Sequence, residues 1–200
     1  MYFGGPNGIG KEYDIKIVAD LDFTNLGETI RHGDVNGDGK PDLLIGNPFA
    51  KSIHPKNRTH ILENGQVWIY YSTHHRKTGQ ILTINETDLL LIGENTFNWF
   101  GYDMAIIEND NEGQSYLIVT APQYQINNST KPVGKVYCFD LQYVGIDASS
   151  KNGLFANLPL RWTITGVDSL AHFGKFFILI YISWFMGNGH GTFILLATCY

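Results

Sequence analysis

The sequence predicts an all-β chain, a partial β-propeller of four-stranded antiparallel sheets. Three observations predict it. Segments recur in a fixed order, about four short strands to a copy. Glycine is high at 22 of 200 residues and aromatics reach 14%, while charged residues are only 16%, a balance that suits strands and tight turns. No window carries a sustained 3.6-residue apolar period, so helices are expected to be few and short.

Each copy opens with a glycine-containing turn. The three openings are Asn25-Leu26-Gly27, Trp99-Phe100-Gly101 and His172-Phe173-Gly174. A polar loop follows in the first two copies, Asp34 to Asp42 and Glu108 to Tyr116, then an apolar run, Leu43-Leu44-Ile45-Gly46-Asn47-Pro48 or Leu117-Ile118-Val119-Thr120-Ala121-Pro122. Glycine-led alternating runs come next, Gly65 to Tyr71 and Gly134 to Asp140, and read as strands. Leu89-Leu90-Leu91-Ile92-Gly93 and Trp162-Thr163-Ile164-Thr165-Gly166 close the first two copies. Gly39, Gly113 and Gly191 serve as anchors and stand 74 and 78 residues apart. The division this suggests is 1–13 as the end of one blade, 14–79 and 80–159 as two blades, and 160–200 as the start of a further one. A β-sandwich with accidental similarity is the competing fold. Open blade faces and strand edges need covering, so the chain is expected to be part of a larger ring and prone to aggregate alone.

The net charge of -5 and pI near 5.7 argue against nucleic-acid binding, which calls for a basic face. Cys138 and Cys199 are too few for a disulfide scaffold, and nothing decides whether they pair. Residues 1–6 carry neither the basic nor the apolar segment of a signal peptide. Asn57, Asn85, Asn127 and Asn128 begin N-x-[S/T] sequons, which favours passage through the secretory route and an extracellular protein. The apolar run from Phe176 to Met186 is shorter than the roughly 18 residues a membrane span needs, and glycines follow it, so it reads as strand, turn and strand.

The strongest chemical signal is Asp34-Val35-Asn36-Gly37-Asp38-Gly39-Lys40-Pro41-Asp42. Asp34, Asn36, Asp38 and Asp42 offer side-chain oxygens at alternate positions, and the Lys40 backbone carbonyl fills the gap at the seventh. Such a set suits Ca²⁺, a hard cation that takes six to eight oxygens. Position twelve is Ile45 rather than glutamate and strands flank the loop, so it is not an EF-hand. An acidic hairpin without metal is the competing reading. The equivalent second loop offers Glu108, Asp110, Glu112 and the Gln114 carbonyl but has Tyr116 at position nine, so weaker metal binding or none is expected. The third, around 188–192, has no acid and no expected metal. Seven histidines show no three-ligand zinc pattern: adjacent His74 and His75 would face opposite sides of a strand. No nucleophile elbow or phosphate-binding loop occurs, and nothing reads as an active site.

Phe-Gly, an acidic D-x-N-x-D-G-x-x-D loop and Leu-Leu-x-Gly-x-Pro together resemble the FG-GAP repeat of integrin α-chains and of glycosylphosphatidylinositol (GPI)-specific phospholipases D. Asp34 to Asp38, Ile45 to Ala50, Trp99 to Tyr102 and Trp162 to Gly166, with Tyr2-Phe3-Gly4, resemble the phospholipases more closely. That resemblance implies a secreted, glycosylated enzyme that cleaves the inositol–phosphate bond of GPI anchors. It also implies a zinc-dependent catalytic domain elsewhere in the polypeptide, so Zn²⁺ is expected only there and no catalytic residue transfers to this chain. The expected partners are that domain in cis and GPI-anchored proteins as substrates, with Ca²⁺ held by Asp34, Asn36, Asp38, the Lys40 carbonyl and Asp42. The alternative is an integrin-like adhesion propeller that binds a protein ligand.

Overall fold

The computed structural model describes residues 4–5, 8–9, 12–53, 60–72, 76–109, 114–126, 131–141, 158–167, 173–175, 182–186 and 189–193. Its strands are β1 (Gly4–Gly5), β2 (Gly8–Ile9), β3 (Ile15–Ile17), β4 (Ile30–Gly33), β5 (Asp42–Asn47), β6 (Ser52–Ile53), β7 (His60–Ile61), β8 (Gln66–Tyr70), β9 (Gln80–Leu82) and β10 (Leu89–Ile92). There follow β11 (Met104–Asn109), β12 (Gln114–Ala121), β13 (Lys135–Asp140), β14 (Leu160–Thr165), β15 (Ile182–Met186) and β16 (Gly189–Phe193). The one helical element among the described residues is a 3₁₀ turn, Ile84–Glu86, closed by a Thr83–Glu86 capping box.

Two four-stranded antiparallel meanders carry the fold, β4-β5-β8-β10 and β11-β12-β13-β14. Both have the four-stranded antiparallel form expected of propeller blades. The first sheet takes its outer strand from Leu89–Ile92 and the second from Leu160–Thr165. Each blade therefore runs past the divisions at 79 and 159, because the last apolar run of each copy folds back onto the preceding strand.

Alternation along the strands explains the packing. Leu44, Val67, Ile69, Leu89 and Leu91 leave one face of the first sheet and join Leu117, Val119, Tyr137 and Phe139 of the second in a shared core. The opposite face of the first sheet presents Ile45, Trp68, Tyr70 and Leu90, covered by Ile15 and Leu82. Those two come from β3 and β9, which pair in parallel. The far face of the second sheet gathers Ile107, Ile118, Val136 and Cys138, with Trp162 and Phe173 against them.

The blades are joined at glycines. Gly65 bridges in parallel to Phe100, and Gly134 to Phe173. The Phe100 amide donates to the Asn64 carbonyl at 3.1 Å, and the Gly93 amide to the Gly65 carbonyl at 2.9 Å. One repeat later, Phe173 donates to Val133 at 3.1 Å and Gly166 to Gly134 at 2.9 Å. Gly65 and Gly134 both have left-handed backbone, at φ 80° and 81°. A Cβ on either would lie 2.1 or 2.2 Å from the next Phe carbonyl oxygen, closer than any side chain tolerates.

The third copy differs from its expected form. β15 and β16 pair from Ile182↔Phe193 to Met186↔Gly189, so 189–193 lies in a strand rather than a loop.

Replacing Gly65 with alanine combines left-handed strain with a backbone clash and should destabilise the fold by roughly 3 kcal/mol or more. Gly79 has the same φ of 80° but open space around it, so Gly79→Ala should cost only about 1–2 kcal/mol. Denaturant melts of the two variants check this; equal losses would mean that the Gly65–Phe100 junction contributes nothing.

Candidate functional site

The β4–β5 ladder ends at the pair Gly33↔Asp42, leaving residues 34–41 as the connection. The chain turns twice there through left-handed glycines, Gly37 at φ 76° and Gly39 at φ 80°. Tight turns aim several backbone N–H groups at one point, and these need acceptors. Asp34 supplies them. Its Oδ1 accepts from Gly37 at 2.7 Å and Asp38 at 3.1 Å, and its Oδ2 from Gly39 at 2.7 Å. Asn36 Oδ1 accepts from the Asp38 amide at 3.1 Å, and Asn36 Nδ2 donates to Asp38 Oδ2 at 3.0 Å. Asp38 Oδ1 accepts from the Lys40 amide at 2.8 Å.

Asp42 forms the floor of the loop and is only 1% exposed. Its Oδ2 accepts from the Val35 amide at 3.0 Å and its Oδ1 from the Ser72 amide at 2.9 Å. Val35 is itself fully buried in the inter-sheet core. The loop is thus pinned to the core on one side and to the chain just beyond β8 on the other. The Ser72 contact is 30 residues away in sequence, and no local signal could have revealed it. Burial pushes the Asp42 carboxyl above its ordinary range; the Ser72 and Val35 amides oppose this, and the charge of Asp38 adds to it.

The donor set is wholly hard oxygen, which is the chemistry Ca²⁺ selects. Asp34 Oδ1 accepts two amides, but the other carboxylate oxygens of Asp34, Asp38 and Asp42 each accept one and keep lone-pair capacity beyond it. In the geometry present, however, the carboxylates are turned onto the loop's own N–H groups. Among the described residues no three His, Cys, Asp or Glu side chains converge as a metal-holding group. Asp34, Asn36, Asp38, Lys40 and Asp42 are therefore brought together as an amide-capped turn whose donor chemistry fits calcium.

The second loop is built differently on the same register. Ile107 pairs with Tyr116 just as Gly33 pairs with Asp42. The ladder then continues through Glu108↔Ser115 and Asn109↔Gln114. Positions that stay open in the first loop are consumed here as strand, so the Glu108 and Gln114 backbones belong to a hairpin. Asp110 and Glu112 lie outside the described residues.

Of the sequons, Asn85 sits exposed in the 3₁₀ turn, while Asn57, Asn127 and Asn128 lie outside the described residues. So do His54, His74 and His75. Cys138 is a buried free thiol whose pKa burial raises to about 12, which leaves it unreactive; Cys199 lies outside the described residues. No described helix is long and apolar enough to cross a membrane.

Comparison with known proteins agrees with this geometry. The FG-GAP repeat family model matches residues 26–70, which hold the capped loop and three strands of the first sheet. Residues 26–70 thus carry an FG-GAP repeat. It is 31% identical over 153 residues to phosphatidylinositol-glycan-specific phospholipase D of Mus musculus, covering 70% of this chain and 17% of that protein. It is 26% identical over 191 residues to the Dictyostelium discoideum protein of the same name, covering 85% of this chain and 19% of that one. Similarity to integrin alpha-8 of Mus musculus is lower, 23% over 164 residues, covering 78% of this chain and 12% of that protein. The resemblance to GPI-specific phospholipase D thus extends over most of this chain, which spans about one sixth of the length of those relatives.

The raised Asp42 carboxyl has a consequence in metal-free protein. A group whose folded pKa lies above its unfolded value lends relative stability at low pH and loses it as pH rises through the folded pKa. Asp42→Asn should cost about 1–3 kcal/mol near neutrality, because one amide then faces a side-chain NH₂. That gap should widen as pH falls from neutrality toward the ordinary carboxylate range, as wild-type Asp42 takes up its proton. Chelator-treated melts of both proteins across that range check it; a constant gap would refute the assignment.

Proposed function

We propose that this chain is the calcium-binding propeller scaffold of a secreted GPI-specific phospholipase D. In this reading the hydrolysis of the inositol–phosphate bond of GPI anchors belongs to a zinc-dependent domain outside these residues. The observation that carries it is the 31% identity to the phospholipase over 70% of the chain, which folds as two four-stranded antiparallel meanders with the FG-GAP match in the first. GPI-anchored proteins would be the substrates, and the catalytic domain the partner in cis. Glycosylation at exposed Asn85 fits an extracellular protein.

Ca²⁺ would be held by Asp34, Asn36, Asp38, the Lys40 carbonyl and Asp42. It would supply charge neutralisation to three clustered carboxylates and stiffen the turn. The Asn36–Asp38 hydrogen bond must open for both side chains to reach a common ion. The second loop is not assigned a metal, because its ladder runs on through Glu108 and Gln114. The weaker similarity to integrin alpha-8 supports the alternative, an adhesion propeller.

Immunoblotting of secreted material with an antibody to this segment tests the enzyme reading. A band several times heavier than the 22.5 kDa of this chain, whose immunodepletion removes GPI-anchor release activity, is the expected result. A band near that mass plus glycans, with activity undiminished, would leave a binding module.

Calcium assignment needs a separate measurement. Asp34 caps three amides, so Asp34→Ala with Asp38→Ala should lower stability even in chelator, by roughly 1–2 kcal/mol. The discriminating quantity is the gain on adding calcium. Wild type should gain about 2.7 kcal/mol at a hundredfold excess over Kd, and the double variant nothing. An equal gain in both would exclude this loop.

A further inference from the structure

The loop juxtaposes an Asn-Gly pair with the groups that its own cyclisation requires. Deamidation at Asn-Gly begins when the glycine nitrogen attacks the asparagine Cγ, and a following residue without Cβ leaves that approach open. Gly37 is exposed, and a Cβ placed there would meet nothing within 4 Å. Its N–H donates to Asp34 Oδ1 at 2.7 Å, so a carboxylate already holds the proton the nitrogen must lose. Asn36 Oδ1 accepts the Asp38 N–H at 3.1 Å, a donor placed where negative charge would develop on that oxygen. Asn36 Nδ2, the leaving nitrogen, donates to Asp38 Oδ2 at 3.0 Å.

We propose that Asn36–Gly37 is a self-deamidating site, with Asp34 as general base and the Asp38 backbone amide as oxyanion donor. Gly37 N forms a bond to Asn36 Cγ, and the Cγ–Nδ2 bond breaks. The departing nitrogen leaves as ammonia, carrying a proton equivalent to the one lost from Gly37 N. Water then opens the cyclic imide at either carbonyl, giving isoaspartate or aspartate at position 36. One water is consumed, one ammonia is released, and no redox partner is needed. Either product adds a negative charge beside Asp34 and Asp38, and isoaspartate also lengthens the backbone by one methylene inside a turn that depends on amide spacing. The site thus works as a slow timer on the loop.

The chain contains its own control. Asn64–Gly65 is the same dipeptide without the apparatus. Asn64 is fully buried, and its Nδ2 donates to Ser52 Oγ at 2.7 Å and the Gly93 carbonyl at 2.9 Å. The Gly65 N–H faces the Ala50 carbonyl at 3.3 Å rather than a carboxylate.

The test follows both sites by peptide mapping, reading the unit mass gain and the isoaspartyl product, in chelator at neutral pH. Folded chain is compared with chain held in denaturant. Asn36 should convert faster folded than denatured, and Asn64 slower. Asp34→Asn keeps an oxygen acceptor for the Gly37 amide while removing the base, so it should slow conversion at Asn36 about tenfold or more in the folded protein and leave Asn64 unchanged. Folded wild type converting no faster at Asn36 than denatured chain would overturn the proposal without recourse to any variant. So would an unaltered rate in a folded Asp34→Asn protein.

Discussion

The close backbone contact between Gly65 and Phe100, repeated between Gly134 and Phe173, is the constraint on which the rest of the structure depends. It fixes where one sheet stands relative to the next. With that distance set, Leu44, Val67 and Leu91 of the first sheet meet Leu117, Val119 and Phe139 of the second in one buried core. A blade has two apolar faces and cannot bury them alone. The junction is made of backbone rather than side chain, so it tolerates no Cβ on its glycine side. The repeat therefore conveys position through glycines and identity through the aromatic that follows.

The turns that deliver each Phe-Gly carry strain. Phe23 and Asn25 before Gly27, and Phe97 and Trp99 before Gly101, all have positive φ. Such residues cost of order 1–2 kcal/mol each and persist only where surroundings enforce them. The enforcement is visible as amide bonds: Phe49 to the Thr24 carbonyl at 3.1 Å, Gln123 to the Asn98 carbonyl at 3.2 Å, and Phe97 to the Leu62 carbonyl at 2.7 Å. Strain at the same two places in both copies means that the turn shape is a property of the fold, set by where the next glycine must land. Arg31 adds a second tie, donating through Nε to the Met104 carbonyl at 2.8 Å and pairing with Asp103 at 2.7 Å.

Much of this was legible in the sequence because it is local and repeated. Gly-led alternating runs became β8 and β13, and the Asp34–Asp42 spacing became one compact turn. What stayed hidden depends on contacts between distant residues. The parallel pairing of β3 with β9 joins Ile15–Ile17 to Gln80–Leu82 across some sixty residues, and neither segment has an unusual pattern. The Asp42–Ser72 bond is similar in kind. Positive φ at Phe97 and Trp99 contradicts what residue type suggests. In the third copy, the Gly anchor at Gly191 matched by type but fell within β16, because glycine alone does not distinguish a turn from a strand that needs no side chain.

The first two hairpins show why the β4–β5 connection stays open where the β11–β12 ladder runs on. Both close on the same pair, Gly33↔Asp42 and Ile107↔Tyr116. Beyond it the second ladder zips through two more pairs, whereas the first diverges at Asp34. An aspartate is short enough for its carboxylate to reach back to the amides three to five residues ahead, and left-handed Gly37 and Gly39 turn those amides toward it. Glu108 is longer and begins a segment in which Gly113 is the sole glycine, so strand pairing is the better use of its backbone. Loop opening is thus a competition between ladder hydrogen bonds and side-chain capping, decided by one methylene and one extra glycine. The side that wins by capping collects three carboxylates on one turn. Asp34 and Asp38, which cap the turn, and Asp42, which anchors it, are also its acids, which is why its structural and cation-binding readings share one set of residues.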